Sequence, residues 1–262
     1  NPDDFPEIPK IEEVFFFEID STSFHKMIEK TVIVSGASDD NRAHIIGIYA
    51  ERIQEDSQKL FRMVSTDGSR LSKADFIFDK DFDLPLGDNV LIPKKGLMEV
   101  AKFLDSEGPV KIGIKDNNFI VKKEKETLII RLLEGDYPKY IDIVSKKEGH
   151  DILLDRRLFL MMLKRMSILS SDEYKGVIFH FTQDKLVINS TNPDIGESKE
   201  DMEIGYNGDP VEVMYNPRFF IDTLGVIDED KMVLNIIDDQ KPCKLEGEND
   251  KSYLSVIMPM RI

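Results

Sequence analysis

One order of elements occurs twice along this 262-residue chain, and that repetition limits the possible folds more than any single motif does. In the first copy a strand, VFFFEID (Val14 to Asp20), runs through Ser21, Thr22 and Ser23 into a helix. Phe24, Met27, Ile28, Thr31 and Val32 fall at i, i+3, i+4, i+7 and i+8, one face of that helix. A hairpin follows, IIGIYAE and LFRMVSTDGSRL around the turn RIQEDSQK. Strand DNVLIP feeds a second helix, in which Leu97, Val100, Ala101 and Leu104 repeat the spacing. VKIGIKDN, NFIVKKE and TLIIRLLEG close the unit.

The second copy opens on HDILLD and a helix whose Phe159, Met162, Leu163 and Met166 share a face. In its hairpin, KGVIFHFTQDKLVINSTNPD, Gly176 answers Gly47 and NSTN answers VSTD. PVEVMYN then leads to a helix with Asn216 as N-cap, Pro217 in the first turn, and Phe220, Thr223, Leu224 and Ile227 as its apolar face. KMVLNIID, KPCKLEGE and SYLSVIMPMRI finish it. Matching landmarks lie roughly 120 to 130 residues apart, too far for a solenoid repeat and right for a duplicated domain. The expected boundaries are a Pro- and acid-rich linker at 1–12, one unit at 13–144 and another at 145–262, with the seam at SKKEGH, Ser145 to His150.

The longest apolar runs, VFFF and LFLMML, are too short to span a bilayer, and the start NPDDFPEIP is no signal peptide. A single cysteine, Cys243, excludes an internal disulfide and suits a reducing cytoplasm. The net charge of −15 argues against a broadly basic nucleic-acid binder but leaves room for a local basic stripe. The polar sides of the four helices supply one: Lys26 and Lys30, then Lys94, Lys95 and Lys102, then Arg156, Arg157, Lys164 and Arg165, and Arg218 on the fourth. Intervals of seven put Lys95 with Lys102, and Arg157 with Lys164, on one side of their helices. Glu29, Glu99, Asp155 and Asp222 on the same helices fit an ordinary solvated face. Cations gathered on helices while acid accumulates elsewhere fit phosphate contacts that position a nucleic acid without reading it.

No catalytic constellation stands out. The four histidines are scattered, and the nucleotide, zinc-protease and serine-hydrolase signatures are absent. STDGSR (Ser65 to Arg70) could be an Asp-centred metal or phosphate loop of a hydrolase or phosphotransferase; its plainer reading is a turn at Asp67 and Gly68 between strands. No metal or cofactor is expected. The ending SVIMPMRI alternates Val256, Met258, Met260 and Ile262 with Ser255, Ile257, Pro259 and Arg261, which is strand spacing.

Five segments, STDGSRL (65 to 71), IPKKGLMEV (92 to 100), LLEGDYPKY (132 to 140), MYNPRFFIDTL (214 to 224) and the terminal VIMPMRI, together resemble the bacterial sliding clamp, the beta subunit of DNA polymerase III. The resemblance covers the whole chain. Chains of that family carry three such units, so the match implies that the first is missing here, with NPDDFPEIP similar to the connector after it. It implies an α+β clamp fold, a duplicated domain of two helices backed by two antiparallel sheets. Two three-domain subunits of the family close head to tail on duplex DNA with helices lining the hole; the present two-unit chain is then expected to be a monomer.

The resemblance also implies a non-enzymatic processivity factor with a groove for short linear peptides of polymerases, clamp loader and repair proteins. One wall comprises Ile45, Thr66, Gly68, Ser69, Arg70 and Leu71, with Pro138 and Ile143 near the seam. The last unit adds Tyr174, Asn216, Phe219, Gln240, Pro242, Val256, Met258, Pro259, Met260, Arg261 and Ile262. Ser69 stands where the family often has histidine, Asp142 where a basic residue is common, and Phe219 in place of tyrosine. These departures bear on peptide preference. A peptide-binding scaffold unrelated to DNA is the alternative within the same chemistry.

Overall fold

The structure, a computed structural model, describes residues 13–34, 36, 42–55, 57–79, 87–104, 107–145, 148–169, 176–194 and 196–261. The expected linker at 1–12, Tyr174 and Ile262 lie outside the described residues.

In the first half, β1 (Phe16–Asp20) turns directly into α1 (Ser21–Val32), where the Asp20 carboxylate accepts from the Ser23 amide at 2.9 Å and caps the first turn. A one-turn α2 (Ala43–Ile46) precedes β2 (Gly47–Glu55), β3 (Gln58–Thr66) and β4 (Arg70–Ile77). Then come β5 (Gly87–Pro93), α3 (Lys94–Phe103), β6 (Pro109–Lys115), β7 (Asn118–Lys123) and β8 (Glu126–Arg131). A short α4 (Ile141–Ser145) bridges to the second half. There the order returns: β9 (His150–Asp155), α5 (Arg156–Met166), β10 (Val177–Thr182), β11 (Lys185–Asn192), β12 (Gly196–Glu203), β13 (Val211–Tyr215), α6 (Pro217–Val226), β14 (Lys231–Ile236), β15 (Cys243–Gly247) and β16 (Tyr253–Ile257).

Each half builds two four-stranded antiparallel sheets with the same strand order. Those of the first half run β5-β2-β3-β4 and β1-β6-β7-β8; those of the second run β12-β11-β10-β13 and β16-β15-β14-β9. The halves join where β4 pairs antiparallel with β16, from Ala74 opposite Tyr253 to Arg70 opposite Ile257, making one eight-stranded sheet.

The third strand of each hairpin sheet, β4 and β12, was absent from the sequence expectation, as were α2 and α4. The buried positions of β4 include Ser72 and Ala74, which carry little hydrophobic signal. In β12, GESKEDME, Met202 alone is buried, so an edge strand reads as a polar loop. The first hairpin turn is also shorter than RIQEDSQK suggested, since β2 continues to Glu55 and β3 begins at Gln58.

One apolar core runs through both halves on the helix side, including Phe17, Phe24 and Phe61 in the first and Phe159, Phe179 and Phe220 in the second. At the joint, small polar side chains replace bulky ones. Ser65 donates to the Thr31 carbonyl at 2.7 Å and Ser72 to that of Lys30, so the strands bond last-turn carbonyls of α1, where the helical ladder runs out. Ser255 and Thr223 share a buried hydroxyl contact at 2.9 Å, which draws α6 against β16. Serine therefore lets both helices approach the seam with its own buried hydroxyls paired. On the other sheet face a smaller cluster, Val64, Leu71, Tyr140, Leu254 and Val256, spans the same joint.

Candidate functional site

The turn from Thr66 to Leu71 is organised by one carboxylate. Asp67 Oδ1 accepts from the amides of Ser69 and Arg70, each at 3.0 Å, and Oδ2 accepts from Arg70 Nε at 3.0 Å. Gly68 takes φ +90°, a left-handed value that a side chain would strain. With both oxygens committed to the turn, Asp67 is a structural residue; the metal or phosphate reading of STDGSR gains no support.

From this turn Arg70 reaches across the seam. Its Nη1 donates to Asp222 on α6 at 2.7 Å and Nη2 to the Ile33 carbonyl beyond α1 at 2.9 Å. Its guanidinium lies 4.4 Å from the ring centre of Phe219. The Ser69 carbonyl meanwhile accepts from the Met258 amide at 2.9 Å, which fixes the start of the terminal segment. Two residues on, the Met260 amide donates to the Met214 carbonyl at 2.8 Å, so 258–260 crosses from β4 to β13. Beside it lies a cavity of about 710 Å³ lined by Glu212, Val213, Met214, Asp239, Gln240, Met258, Pro259, Met260 and Arg261.

In the β4–β16 pairing Leu71 lies opposite Val256 and Arg70 opposite Ile257, Ser69 holds Met258, and Thr66 and Gly68 belong to the turn behind them. Leu71 and Val256 are buried beneath the outer surface rather than exposed as a wall. Ile45, in α2, is buried as well, with its carbonyl accepting from Gly36. Pro138 and Ile143 are exposed near the seam. Asn216 caps α6 through Arg218 N at 3.0 Å, so its amide group positions the helix. Gln240 is exposed and Pro242 half-buried. Glu212, Met214 and Asp239 were not anticipated: they lie on a strand and loop whose approach to 258–260 depends on tertiary pairing alone.

The helix cations divide by partner. Lys30 is only 7% exposed; its ammonium meets Asp250 at 3.1 Å and sits over the Tyr253 ring. Arg156 donates to the Glu229 carbonyl at 2.6 Å and to that of Leu224 at 2.9 Å, tying down the end of α6. Both were expected as DNA-facing; the fold holds Lys30 through a partner in the other half and Arg156 through carbonyls at the end of α6. Lys26 pairs with Asp228 at 2.7 Å, which raises its pKa, chiefly through that hydrogen bond. Lys102 pairs with Glu99, Arg157 with Asp230 and Arg165 with Glu200, all on the surface. Lys94 is half-buried, and desolvation followed by the nearby Arg70 charge lowers its pKa. Lys95, Lys164 and Arg218 are exposed with no carboxylate within 4 Å among the described residues.

The seam pairs give the joint an acid limit. Burial alone would raise the Asp250 pKa, but hydrogen bonds from Ser252 and the Lys30 ammonium hold it below its ordinary value. Because the folded value is the lower one, this stabilisation is present above the unfolded pKa near 4 and is lost as pH falls through the folded value. Unfolding midpoints should therefore drop below about pH 4. Asp250→Asn should flatten that acid limb by up to about 1 kcal/mol after allowance for solvent screening.

Comparison with known proteins agrees with this architecture. A family model described as the DNA polymerase III beta subunit, central domain, matches residues 18–139, and its C-terminal domain counterpart matches 142–261. The beta sliding clamp of Pseudomonas putida is 28% identical over 262 residues, covering 99% of this chain and 69% of that protein. The crystal structure of the DNA polymerase III subunit beta from Pseudomonas aeruginosa superposes with a TM-score of 0.88 at 26% identity, over 99% of this chain and 70% of that one. One from Eubacterium rectale gives 0.88 at 28%, over 99% and 69%. Two consecutive domain models of one family take in nearly the whole chain, in the order its two halves follow, and the chain belongs to the DNA polymerase III beta subunit family, the bacterial sliding clamps.

Proposed function

We propose that residues 13–144 and 145–262 are the middle and last domains of a processivity clamp that encircles duplex DNA and tethers a replicative polymerase. The same groove would serve the clamp loader and repair proteins through short linear peptides. The chain is a non-catalytic component. No helix among the described residues is long and apolar enough to cross a membrane, and we place the protein with the replication machinery in the cytoplasm.

The observation that carries the ring reading is the seam itself. By position in the repeat, β12 is the second-half counterpart of β4, and β8 the first-half counterpart of β16. Both are outer strands of their sheets among the described residues. The joint made once inside the chain can therefore be made again at either end, and a head-to-tail contact whose repeated rotation returns to its start closes into a ring. The layer formed by α1 with α3 and α5 with α6 is continuous across the seam through contact of α1 with α6. A topologically held ring needs only weak, salt-sensitive phosphate contacts.

The peptide reading rests on the cavity beside Met258, Pro259 and Met260, on the far side of the Arg70 turn. Methionine walls repack around different apolar anchors, as many exchanging partners require. Each ligand Leu or Phe buried contributes about 1.5–3 kcal/mol, and ordering the peptide offsets several kcal/mol, which places affinity near micromolar. A fluorescent peptide of the Gln-Leu/Phe type should bind. Met260→Ala with Ile262 removed should weaken it about thirtyfold without moving the melting curve. Unchanged affinity would remove the groove assignment. For the DNA half, the three-domain protein should stay on a circular duplex and slide off once it is linearised; equal retention on both would favour the scaffold unrelated to DNA.

A further inference from the structure

The methionines of this chain fall into two populations. Met27, Met63, Met162, Met166, Met202 and Met232 are buried in the core. Met258 and Met260 are 41% and 36% exposed and flank Pro259 on the cavity wall, with half-buried Met214 behind them. Met98 on α3 and Met161 on α5 are equally open, at 45% and 50%, but lie on helices and do not line this cavity.

We propose that Met258 and Met260 are oxidation sites through which a hydroperoxide closes the groove to apolar peptide anchors; this rests on the peptide-groove reading above. The thioether sulfur attacks the peroxide's terminal oxygen, the O–O bond breaks as the S–O bond forms, and water or the matching alcohol leaves with the proton. The sulfur is oxidised by two electrons and the peroxide reduced by two. The product sulfoxide is a strong dipole and hydrogen-bond acceptor, where the thioether was an apolar, deformable wall. Seating a Leu or Phe against it strips water from that dipole and offers no donor in return, so the anchor loses its favourable burial. The surrounding fold is indifferent. The amides of Met258 and Met260 hold the segment to Ser69 and Met214, and those backbone bonds do not involve sulfur. Repair by sulfoxide reductases returns the thioether, so the effect is reversible.

The test uses this chain with Met98→Leu and Met161→Leu, which removes the two exposed methionines away from the groove, and hydrogen peroxide as the oxidant. Peptide mass mapping should find sulfoxide first at Met258 and Met260, with core methionines intact and the melting curve unchanged. Peptide Kd should rise about tenfold or more and return after treatment with methionine sulfoxide reductases. In Met258→Leu/Met260→Leu, whatever its own starting Kd, peroxide should leave Kd unchanged. Full sulfoxide at both positions with Kd within about twofold would overturn the inference while leaving the groove in place. Core oxidation preceding Met258 and Met260 would also overturn it. No peptide binding by the untreated protein would remove the groove reading itself, and this inference with it.

Discussion

Arg70→Ala is expected to cost about 3 kcal/mol of stability and to abolish measurable peptide binding at micromolar concentrations. The side chain is nearly buried and joins four groups: the Asp67 carboxylate of its own turn, Asp222 on α6, the Ile33 carbonyl and the Phe219 ring. Asp222 is 43% exposed and water can serve it after truncation, which keeps the loss below that of a wholly buried pair. The Ile33 carbonyl would lose its donor and the Phe219 ring its stacked cation. The turn would also lose one of its three ties to Asp67, and its Ser69 carbonyl is what holds the Met258 amide. Damage therefore reaches the groove through the backbone as well as through stability. Arg70→Lys tests the geometry: a lysine keeps the charge but cannot fork to three acceptors, so it should recover about half the stability and little of the peptide affinity. Urea titration gives the first quantity and fluorescence anisotropy the second. Wild-type affinity in Arg70→Ala would mean that the turn holds its shape without the guanidinium.

Local physics made much of this fold legible. Phe159, Met162, Leu163 and Met166 sit at helical intervals, and all four are buried. Asn216 before Pro217 announced a capped helix start, and the cap is formed. The strands lost to inspection were those in which Leu71 is joined at buried positions only by Ser72 and Ala74, or Met202 is buried alone; periodicity needs several apolar side chains to be seen. The seam was less accessible still. Arg70 finds Asp222, Lys26 finds Asp228 and Lys30 finds Asp250 across more than 150 residues of chain, and no local spacing encodes such partners. Lys30 shows the consequence. It sits beside the buried stripe of α1, where a solvent-facing cation is the natural reading, yet Asp250 and the Tyr253 ring receive its ammonium and its stem is covered. The turn at 66–71 was legible because a turn is local, while the approach of Glu212 and Met214 to 258–260 was not, since β13 meets that segment only in the folded molecule.

The same sorting of partners decides which cations should matter to DNA. Lys30 and Arg156 are held by the fold, and truncating either would confuse stability with binding. Lys95, Lys164 and Arg218 are exposed on three different helices with no carboxylate near them among the described residues. A phosphate brought to them meets no competing anion, whereas at Lys102 or Arg157 it must displace Glu99 or Asp230. Lys95→Ala/Lys164→Ala/Arg218→Ala should therefore fold normally, with each surface change within about 0.5 kcal/mol. If each cation neutralises one phosphate, the slope of log K against log salt on a short duplex should fall in magnitude by about 2.7. Extrapolated from about 1 M to about 50 mM salt, that is a loss of about three-thousandfold in affinity, the same for every sequence. Lys102→Ala/Arg157→Ala/Arg165→Ala, matched in charge but drawn from paired residues, should change the slope by less, because each pair already returns part of the counterion gain. Salt titrations by fluorescence anisotropy separate the two sets. Equal slopes for both triple variants would show that surface ion pairs open freely to phosphate, and the ranking by partner would fail; an unchanged slope in both would take the helix layer out of contact with DNA altogether.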